Sequence, residues 1–272
     1  MKWVRRGSSR SGRPYFSRPR AMLLTRKAIF RARVRMVWRP SASWAASPGR
    51  RPWMLFQYWL EATGMPLMVK NLFSSSKVED RPPRHVPEGE GWVTAEYSML
   101  PRANRERSRR DISKLKLNGR SAEIQRLIGR ALRSVVDMKK LGPWNITIDC
   151  DVLQGDGGTR TASITGGFVA MMLAFRKMME AGQLAEYPVS GYVAAVSAGI
   201  VDDVPLLDLC YEEDSAAMVD LNCVMDDQGR LIEIQGTGEE RPFTLDEQRQ
   251  LVELCEKGIR RLQTVQRAVL EG

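Results

Sequence analysis

A glycine loop followed directly by an arginine is the feature of this sequence best suited to chemistry. An alternating apolar run over residues 146–152 indicates a strand, which leads into Gly155-Asp-Gly-Gly158. Thr159, Arg160 and Thr161 then open an apolar segment that indicates a helix. Glycines let the backbone approach a ligand, N–H groups at a helix start point outward, and arginine adds a permanent positive charge. The loop therefore predicts an anion site, with a plain strand-to-helix turn as the alternative.

Arginine is also concentrated before another predicted helix, over residues 118–137, where apolar residues recur at i, i+3 and i+4. Arg120 stands at the start of that helix. Five further arginines lie upstream of it in the nine residues from 102 to 110, namely Arg102, Arg105, Arg107, Arg109 and Arg110. A run of charge is usually a solvated surface, but planar guanidiniums also bind phosphate and stack on bases. Their density here favours a nucleic-acid contact.

Asp214 and Asp220 are the candidate acidic pair, flanking a short link between two predicted strands. Paired carboxylates at a strand end can hold Mg²⁺ or supply a general acid, whereas the alternative is a pair of polar turn residues. His85 is the only histidine, and the four cysteines are widely spaced. This inventory suggests neither a His-based relay nor a zinc site or disulfide framework, and it is typical of a reduced, cytoplasmic setting.

The formal net charge of +10 conceals two parts of opposite sign. Residues 1–77 contain 17 Lys and Arg and one acidic residue, Glu61, whereas residues 78–272 carry 25 basic and 31 acidic residues. The second part is long enough to form one domain with a large core. A uniformly basic protein is therefore excluded, and the two parts need separate interpretations.

Residues 1–77 are rich in Trp, Arg and Ser but show neither helical nor strand periodicity. Three interpretations compete: an organelle transit peptide, a basic RNA-binding arm, and a segment that is not translated in its natural frame. No membrane association is expected, because the apolar stretch over residues 53–69 is short and interrupted by polar residues. The out-of-frame hypothesis is favoured, because a recognisable sequence pattern resumes near Val78, as it would after a return to the natural frame.

Residues 78–272 predict an α+β domain, because helices and hairpin strands are mixed along the chain. Helices are predicted over 118–137, about 163–180 and 244–270, and strands over 145–154, 192–201, 204–210, 218–225 and 231–235. The turns of the two hairpins are predicted at Asp202-Asp203 and at Asp226-Asp-Gln-Gly229.

Five motifs, in the same order along the chain, resemble ribonuclease PH, the family of phosphate-dependent exoribonucleases that trim the 3′ ends of transfer RNA precursors. They are Gly91–Arg102, Asn118–Arg130, Asp149–Gly166, Glu213–Ala217 and Glu233–Thr237. The resemblance covers residues from about 78 to 272 and does not extend into residues 1–77. It implies the ribonuclease PH fold, a ribosomal protein S5 domain 2-like βαβ architecture, here preceded by an aberrant N-terminal segment.

The resemblance also implies roles for the residues singled out above. Arg120, Gly158, Thr159 and Arg160 would bind inorganic phosphate, which is itself the nucleophile and releases a nucleoside diphosphate. Asp214 and Asp220 would hold Mg²⁺ or protonate the departing 3′ oxygen. The arginines between Arg102 and Arg110 would line the path of the RNA.

The resemblance further implies a homohexamer, built as a trimer of dimers, that acts on transfer RNA precursors and other structured RNA 3′ ends. A catalytically inactive or impaired ring-forming RNA-binding subunit is the alternative function. The chain departs from the family pattern at Asn104–Arg107 and at Met218, where many members carry a glutamate. That second departure leaves the metal role to Asp214 and Asp220.

Resequencing the coding DNA tests the out-of-frame hypothesis for residues 1–77. We expect a change of reading frame near the codon for Val78. Upstream of that point, a different reading frame should encode the strands with which the family begins its sheet. An intact frame that still encodes these 77 residues would count strongly against the hypothesis.

Overall fold

The computed structural model describes residues 32–34, 54–57, 60–62, 72–104, 106–110 and 118–271, the first three segments by their backbone path. Most of the N-terminal segment 1–77, on which three hypotheses were stated, lies outside the described residues. The elements, in chain order, are β1 (Ala32–Val34), β2 (Met54–Gln57), β3 (Leu60–Ala62), β4 (Leu72–Glu79), β5 (Trp92–Met99), α1 (Gly119–Arg133), α2 (Met138–Leu141), β6 (Asn145–Val152), α3 (Thr159–Glu180), β7 (Val193–Val201), β8 (Val204–Leu207), α4 (Tyr211–Ser215), β9 (Val219–Asp226), β10 (Leu231–Gly238) and α5 (Leu245–Glu271).

The first sheet has the strand order β2-β4-β6-β5 and carries the glycine loop at the end of β6. Strand β4 runs antiparallel to β2 and β6, whereas β5 runs parallel to β6. Strand β4 begins at Leu72, six residues before the boundary predicted at Val78. Because three consecutive serines, Ser74 to Ser76, interrupt the alternation of apolar residues, the sequence pattern does not indicate this strand. All three serines are nevertheless buried. The separate pair β1-β3 forms a two-stranded sheet.

The second sheet has the order β10-β9-β7-β8, and all its neighbouring strands are antiparallel. Both predicted hairpins are present, β7-β8 and β9-β10. Asp202 and Asp203 turn the first hairpin with φ values of 49° and 59°, the left-handed conformation that two-residue hairpin loops favour. Gly229, with φ of 78°, turns the second. This sheet supplies β9, on which Asp220 lies.

Helix α3 lies between the two sheets, packing on β4 and β6 of the first and on β7 and β9 of the second. It also contacts α1 and α5. Phe168, Met171 and Phe175 have no exposed surface, which explains why the sequence of this helix is apolar nearly all round. The helix begins at Thr159, the start that the glycine loop indicated. It therefore extends four residues before the apolar range of about 163–180, because a polar Thr-Arg-Thr stretch occupies its first turn. The predicted α+β class is confirmed.

Helix α1 packs beside α3 on β5, whereas α5 packs on β7 and β8, and each buries one apolar face. Helix α1 buries Ile124, Leu127 and Ile128 and ends at Arg133, before the predicted end at residue 137. A capping box begins α5, in which Thr244 Oγ1 accepts from the Glu247 N–H at 3.2 Å and Glu247 Oε2 accepts from the Thr244 N–H at 2.7 Å. None of the helices in the described part of the chain is long and apolar enough to cross a membrane.

Asp149 lies on β6 between Ile148 and Cys150, which face the core, so its own side chain lies on the opposite face of the sheet. The Ser75 hydroxyl donates to its Oδ2 at 3.5 Å, and Lys77 is the nearby basic residue. Burial of the carboxyl, with Glu96 of β5 and Asp151 beside it, raises the pKa of Asp149 to about 6.

The raised pKa of Asp149 predicts a pH-dependent cost to stability. The folded chain binds this proton more tightly than the unfolded chain, so wild type should lose stability relative to Asp149→Asn as pH rises from about 4 to about 6. The carboxyl is only half-buried, so we expect a change on the order of 1 kcal/mol. Urea unfolding of both proteins across this range measures it, and a difference that does not vary with pH would contradict the assignment.

Candidate active site

One polar cleft of about 160 Å³ brings together all the residues proposed from the sequence as phosphate ligands and as the acidic pair. A cavity needs about 10–15 Å³ of such accessible space to hold one water, so the cleft has room for an ion of the size of phosphate. The lining residues are Arg120, Gly158, Thr159, Arg160, Asp214, Asp220, Asn222 and Glu239. Two cations, three carboxylates and a helix start therefore face the same space.

The start of α3 forms the anion-binding side of the cleft. Gly157 and Gly158 have φ values of 57° and 48°, a left-handed conformation in which glycine carries little strain. Gly158 is the N-cap residue of the helix. Because glycine has no side chain, the cap residue forms no hydrogen bond to the first N–H groups of the helix. The Thr159 hydroxyl lies 2.8 Å from the buried Tyr97 hydroxyl, and this hydrogen bond holds it in place.

Arg120 and Arg160 supply positive charge to the cleft. Arg120 is the second residue of α1, and its N–H donates to the cap residue Asn118 at 3.2 Å. Arg160 is the second residue of α3, and its Nη1 donates to Oε1 of Gln235 at 3.2 Å. Among the described residues, neither guanidinium forms a salt bridge. Both are therefore available to an anion.

Asp220 is the more buried of the two candidate acids. Burial raises the pKa of the Asp220 carboxyl above its ordinary value, and the Asp214 carboxylate raises it further. Arg160 and a hydrogen bond from Asn222 Nδ2 to Asp220 Oδ2, at 3.0 Å, act in the opposite direction. The other oxygen, Oδ1, is buried and accepts no hydrogen bond from the described residues. Such an oxygen is suited to a proton or a cation.

Asp214 lies in the short helix α4 rather than in the irregular link predicted from the sequence. Glu213 causes this difference, because its Oε2 accepts from the Cys210 N–H at 3.0 Å and so caps the first turn. Together with the Asp220 carboxyl, which is close enough for the two charges to interact, Asp214 offers the hard oxygen ligands that Mg²⁺ prefers. No group of three or more His, Cys, Asp and Glu side chains in the described residues has the geometry of a metal site.

The glycine loop and α4 are fastened to one another. The buried carboxylate of Asp156 accepts from the Tyr211 N–H at 2.8 Å, which joins the loop to the first residue of α4. Next to it, the backbone of Gly157 packs so closely on Leu209 that a β-carbon would collide with the Leu209 carbonyl oxygen. The position of Asp214 therefore depends on the same loop that presents Arg160.

Three residues of the site were missed by the sequence analysis. Asn222 could have been found, because it follows Asp220 by two residues in a strand and so shares its face. Glu239 follows the end of β10, and only the tertiary fold brings it near the cleft. Its N–H donates to the Met218 carbonyl at 2.9 Å, which holds it there. Gln235 lies in a motif used for the resemblance, but no spacing rule pairs it with Arg160.

The arginine segment, residues 102–110, begins beside the cleft, but its described arginines do not line it. The Gly155 N–H donates to the Ala103 carbonyl at 2.7 Å, which attaches the start of this segment to the glycine loop. Arg102, Arg107, Arg109 and Arg110 are not among the residues that line the cleft. Arg105, the fifth predicted RNA contact, lies outside the described residues.

The tight packing of Gly157 predicts a large effect of a single methyl group. Gly157→Ala should lose about 3 kcal/mol or more of stability, because it adds a steric collision to the strain of a left-handed alanine. Gly182→Ala is the matched control, since Gly182 has φ of 67° but open space around it, and it should cost only about 1–2 kcal/mol. Chemical unfolding compares the two, and equal losses would show that the contact with Leu209 is unimportant.

Comparison with known protein families matches two successive models. Residues 71–177 match the model described as 3′ exoribonuclease family, domain 1, and residues 191–258 match that described as domain 2. The first match starts one residue before β4. The chain is 56% identical over 197 residues to ribonuclease PH of Bacillus pumilus (strain SAFR-032), which spans 72% of this chain and 81% of the relative.

Solved structures with low sequence identity share the fold. Rice (Oryza sativa) Rrp46 superposes with a TM-score of 0.59 at 12% identity, covering 81% of this chain and 95% of that one. A chain of the Archaeoglobus fulgidus exosome with RNA bound to the active site gives 0.60 at 18% identity, covering 79% and 87%. These structural similarities indicate the same architecture. The 56% sequence identity to a ribonuclease PH, over most of the chain, assigns the family. The chain belongs to the ribonuclease PH family of 3′ exoribonucleases.

Proposed function

We propose that this protein is a phosphate-dependent 3′-to-5′ exoribonuclease that removes nucleotides from the 3′ end of RNA. The observation that carries this proposal is the grouping of a helix start with two arginines, neither of which pairs with a described carboxylate, in the cleft that also contains an acidic pair. A merely structural anion site would not need a buried carboxyl beside the anion. The membership of the family, and the identity to a ribonuclease PH, support the same function.

Inorganic phosphate is the nucleophile in this proposal. Arg120, Arg160 and the N–H groups at the start of α3 bind it and offset its charge as it approaches a second phosphate. One phosphate oxygen attacks the phosphorus of the terminal phosphodiester, and the bond from that phosphorus to the 3′ oxygen of the preceding nucleotide breaks. The terminal nucleotide leaves as a nucleoside diphosphate, so the reaction needs no nucleophile from the protein.

The shortened RNA leaves with a 3′ oxygen that must gain a proton. Asp220 is suited to donate it, because burial and Asp214 raise the pKa of its carboxyl and favour the protonated form. Asn222 orients that carboxyl through its hydrogen bond. In the alternative role, Asp214 and an ionised Asp220 would hold Mg²⁺, which would supply positive charge to offset that of the reacting phosphates.

Transfer RNA precursors and other structured RNA 3′ ends are the proposed substrates, acted on by a homohexamer that is a trimer of dimers. The arginines at 102, 105, 107, 109 and 110 are proposed to guide the RNA, because their segment begins where Ala103 is attached to the glycine loop.

A cytoplasmic location fits the four free cysteines. The complete cleft favours an enzyme over a non-catalytic RNA-binding subunit.

Phosphate-dependent product release is the deciding measurement. A transfer RNA with a 3′ extension should yield nucleoside diphosphates only when phosphate is added. Release of nucleoside monophosphates without phosphate would exclude phosphorolysis and leave hydrolysis as the reaction.

Arg160→Ala should lower kcat/KM by about a hundredfold to a thousandfold while leaving RNA affinity nearly unchanged, because it removes a cation that acts on the attacking phosphate. Arg249→Ala is the matched control, since Arg249 lies exposed on α5 and pairs only with Asp246 among the described carboxylates. Gel-shift binding of the RNA, measured beside turnover, separates the two effects. Equal losses of binding and turnover in Arg160→Ala would contradict its assigned role.

A further inference from the structure

Gln235 connects the phosphate arginine to a second ion pair outside the cleft. Its Oε1 accepts from Arg160 Nη1 at 3.2 Å, and its Nε2 donates to Glu233 Oε1 at 3.0 Å. Glu233 in turn accepts from Nε and Nη2 of Arg130, both at 2.7 Å. A continuous chain of hydrogen bonds therefore runs from α1 through β10 to the start of α3.

The orientation of the Gln235 amide follows from its neighbours. A guanidinium can only donate hydrogen bonds and an ionised carboxylate can only accept them. The amide oxygen must therefore face Arg160, and the amide nitrogen must face Glu233. Gln235 has one orientation that satisfies both partners, so it is held rather than free to rotate.

Arg130 and Glu233 anchor this amide from the far side. Their contact is bidentate, the strongest common geometry between an arginine and a carboxylate. The Glu233 side chain is only 14% exposed, and Glu233 and Gln235 lie two residues apart on one face of β10. Arg130 and Arg120 both lie on α1. The contact of Arg130 with Glu233 therefore joins the helix that carries Arg120 to the strand whose Gln235 binds Arg160.

We propose that Gln235 is a positioning residue that holds Arg160 toward the phosphate, and that Glu233 and Arg130 hold Gln235 in that orientation. The inference rests on the proposed function, since it concerns the same phosphate site. A neutral amide is suited to this task because it orients the guanidinium without neutralising its charge. A carboxylate at the same place would form an ion pair with Arg160 and compete with the phosphate.

Asn222 gives independent support, because it stands directly opposite Gln235 in the pairing of β9 with β10. Asn222 orients Asp220 while Gln235 orients Arg160. Asp220 and Arg160 line one cleft, yet within the described part of the chain they form no salt bridge with one another. Each charged group is held by its own amide, which leaves both available to substrates.

The test measures the affinity of the full-length protein for inorganic phosphate alone, by calorimetry in the absence of RNA. Gln235→Met keeps the size of the side chain but removes its hydrogen bonds, and should raise the Kd for phosphate roughly fivefold. The KM for RNA should change less than about twofold, because Gln235 acts only through Arg160. Gln250→Met, an exposed change on α5, is the matched control and should leave both values unchanged.

Two further variants separate orientation from simple structural support. Gln235→Glu should raise the Kd for phosphate about tenfold or more, since the new carboxylate pairs with Arg160. Arg130→Met should raise it about twofold to threefold, and Arg130→Lys, which keeps a charge beside Glu233, should recover part of that loss. Arg130 lies largely on the surface, so its variants keep the test valid if Gln235→Met fails to fold.

The outcomes distinguish this inference from the function on which it rests. A wild-type protein that binds no phosphate would overturn both. Phosphate binding that is lost in Arg160→Ala but unchanged in folded Gln235→Met and Arg130→Met would overturn the inference alone. A fall in thermal stability with an equal rise in the KM for RNA and the Kd for phosphate would likewise overturn it, because that pattern indicates general structural damage.

Discussion

The passage of the chain from β6 into α3 through two left-handed glycines is the constraint on which the rest of the site depends. Gly157 and Gly158 take left-handed conformations directly before α3, and the first residues of that helix line the cleft. Two features disfavour a side chain at position 157: the left-handed backbone conformation and the close Leu209 carbonyl oxygen. This close contact, with the bond from Tyr211 to Asp156, sets the distance between the phosphate side and the acidic side of the cleft.

The electrostatics of the cleft depend on keeping opposite charges near each other but unpaired. A direct ion pair between Arg160 and Asp220 would neutralise both charges and so make both groups unavailable for chemistry. Neutral partners prevent this, because Gln235 and Asn222 satisfy the hydrogen-bonding groups without neutralising the charges. Burial then keeps the pKa of Asp220 raised even though a cation lies close by.

Local signals in the sequence predicted much of this structure, whereas the contacts between distant segments were not predictable. The periodicity of α1, the capping box of α5 and the turns of both hairpins depend on neighbours in the chain, and each is found in the fold. The start of α3 and strand β4 were less well predicted, because polar residues fill positions that only tertiary packing buries. Glu239 and Gln235 reach the site through pairing of β9 with β10, which leaves no periodic trace.

The bond between Asp156 and Tyr211 has a consequence for how the activity arises during folding. Arg120 and the glycine loop belong to the first of the two matched segments, whereas Asp214, Asp220 and Asn222 belong to the second. Neither segment contains a complete site, and the loop and α4 meet only when the two are docked. Catalysis therefore cannot precede the final tertiary assembly, and an enzyme that has formed both halves without joining them would have native secondary structure and no turnover.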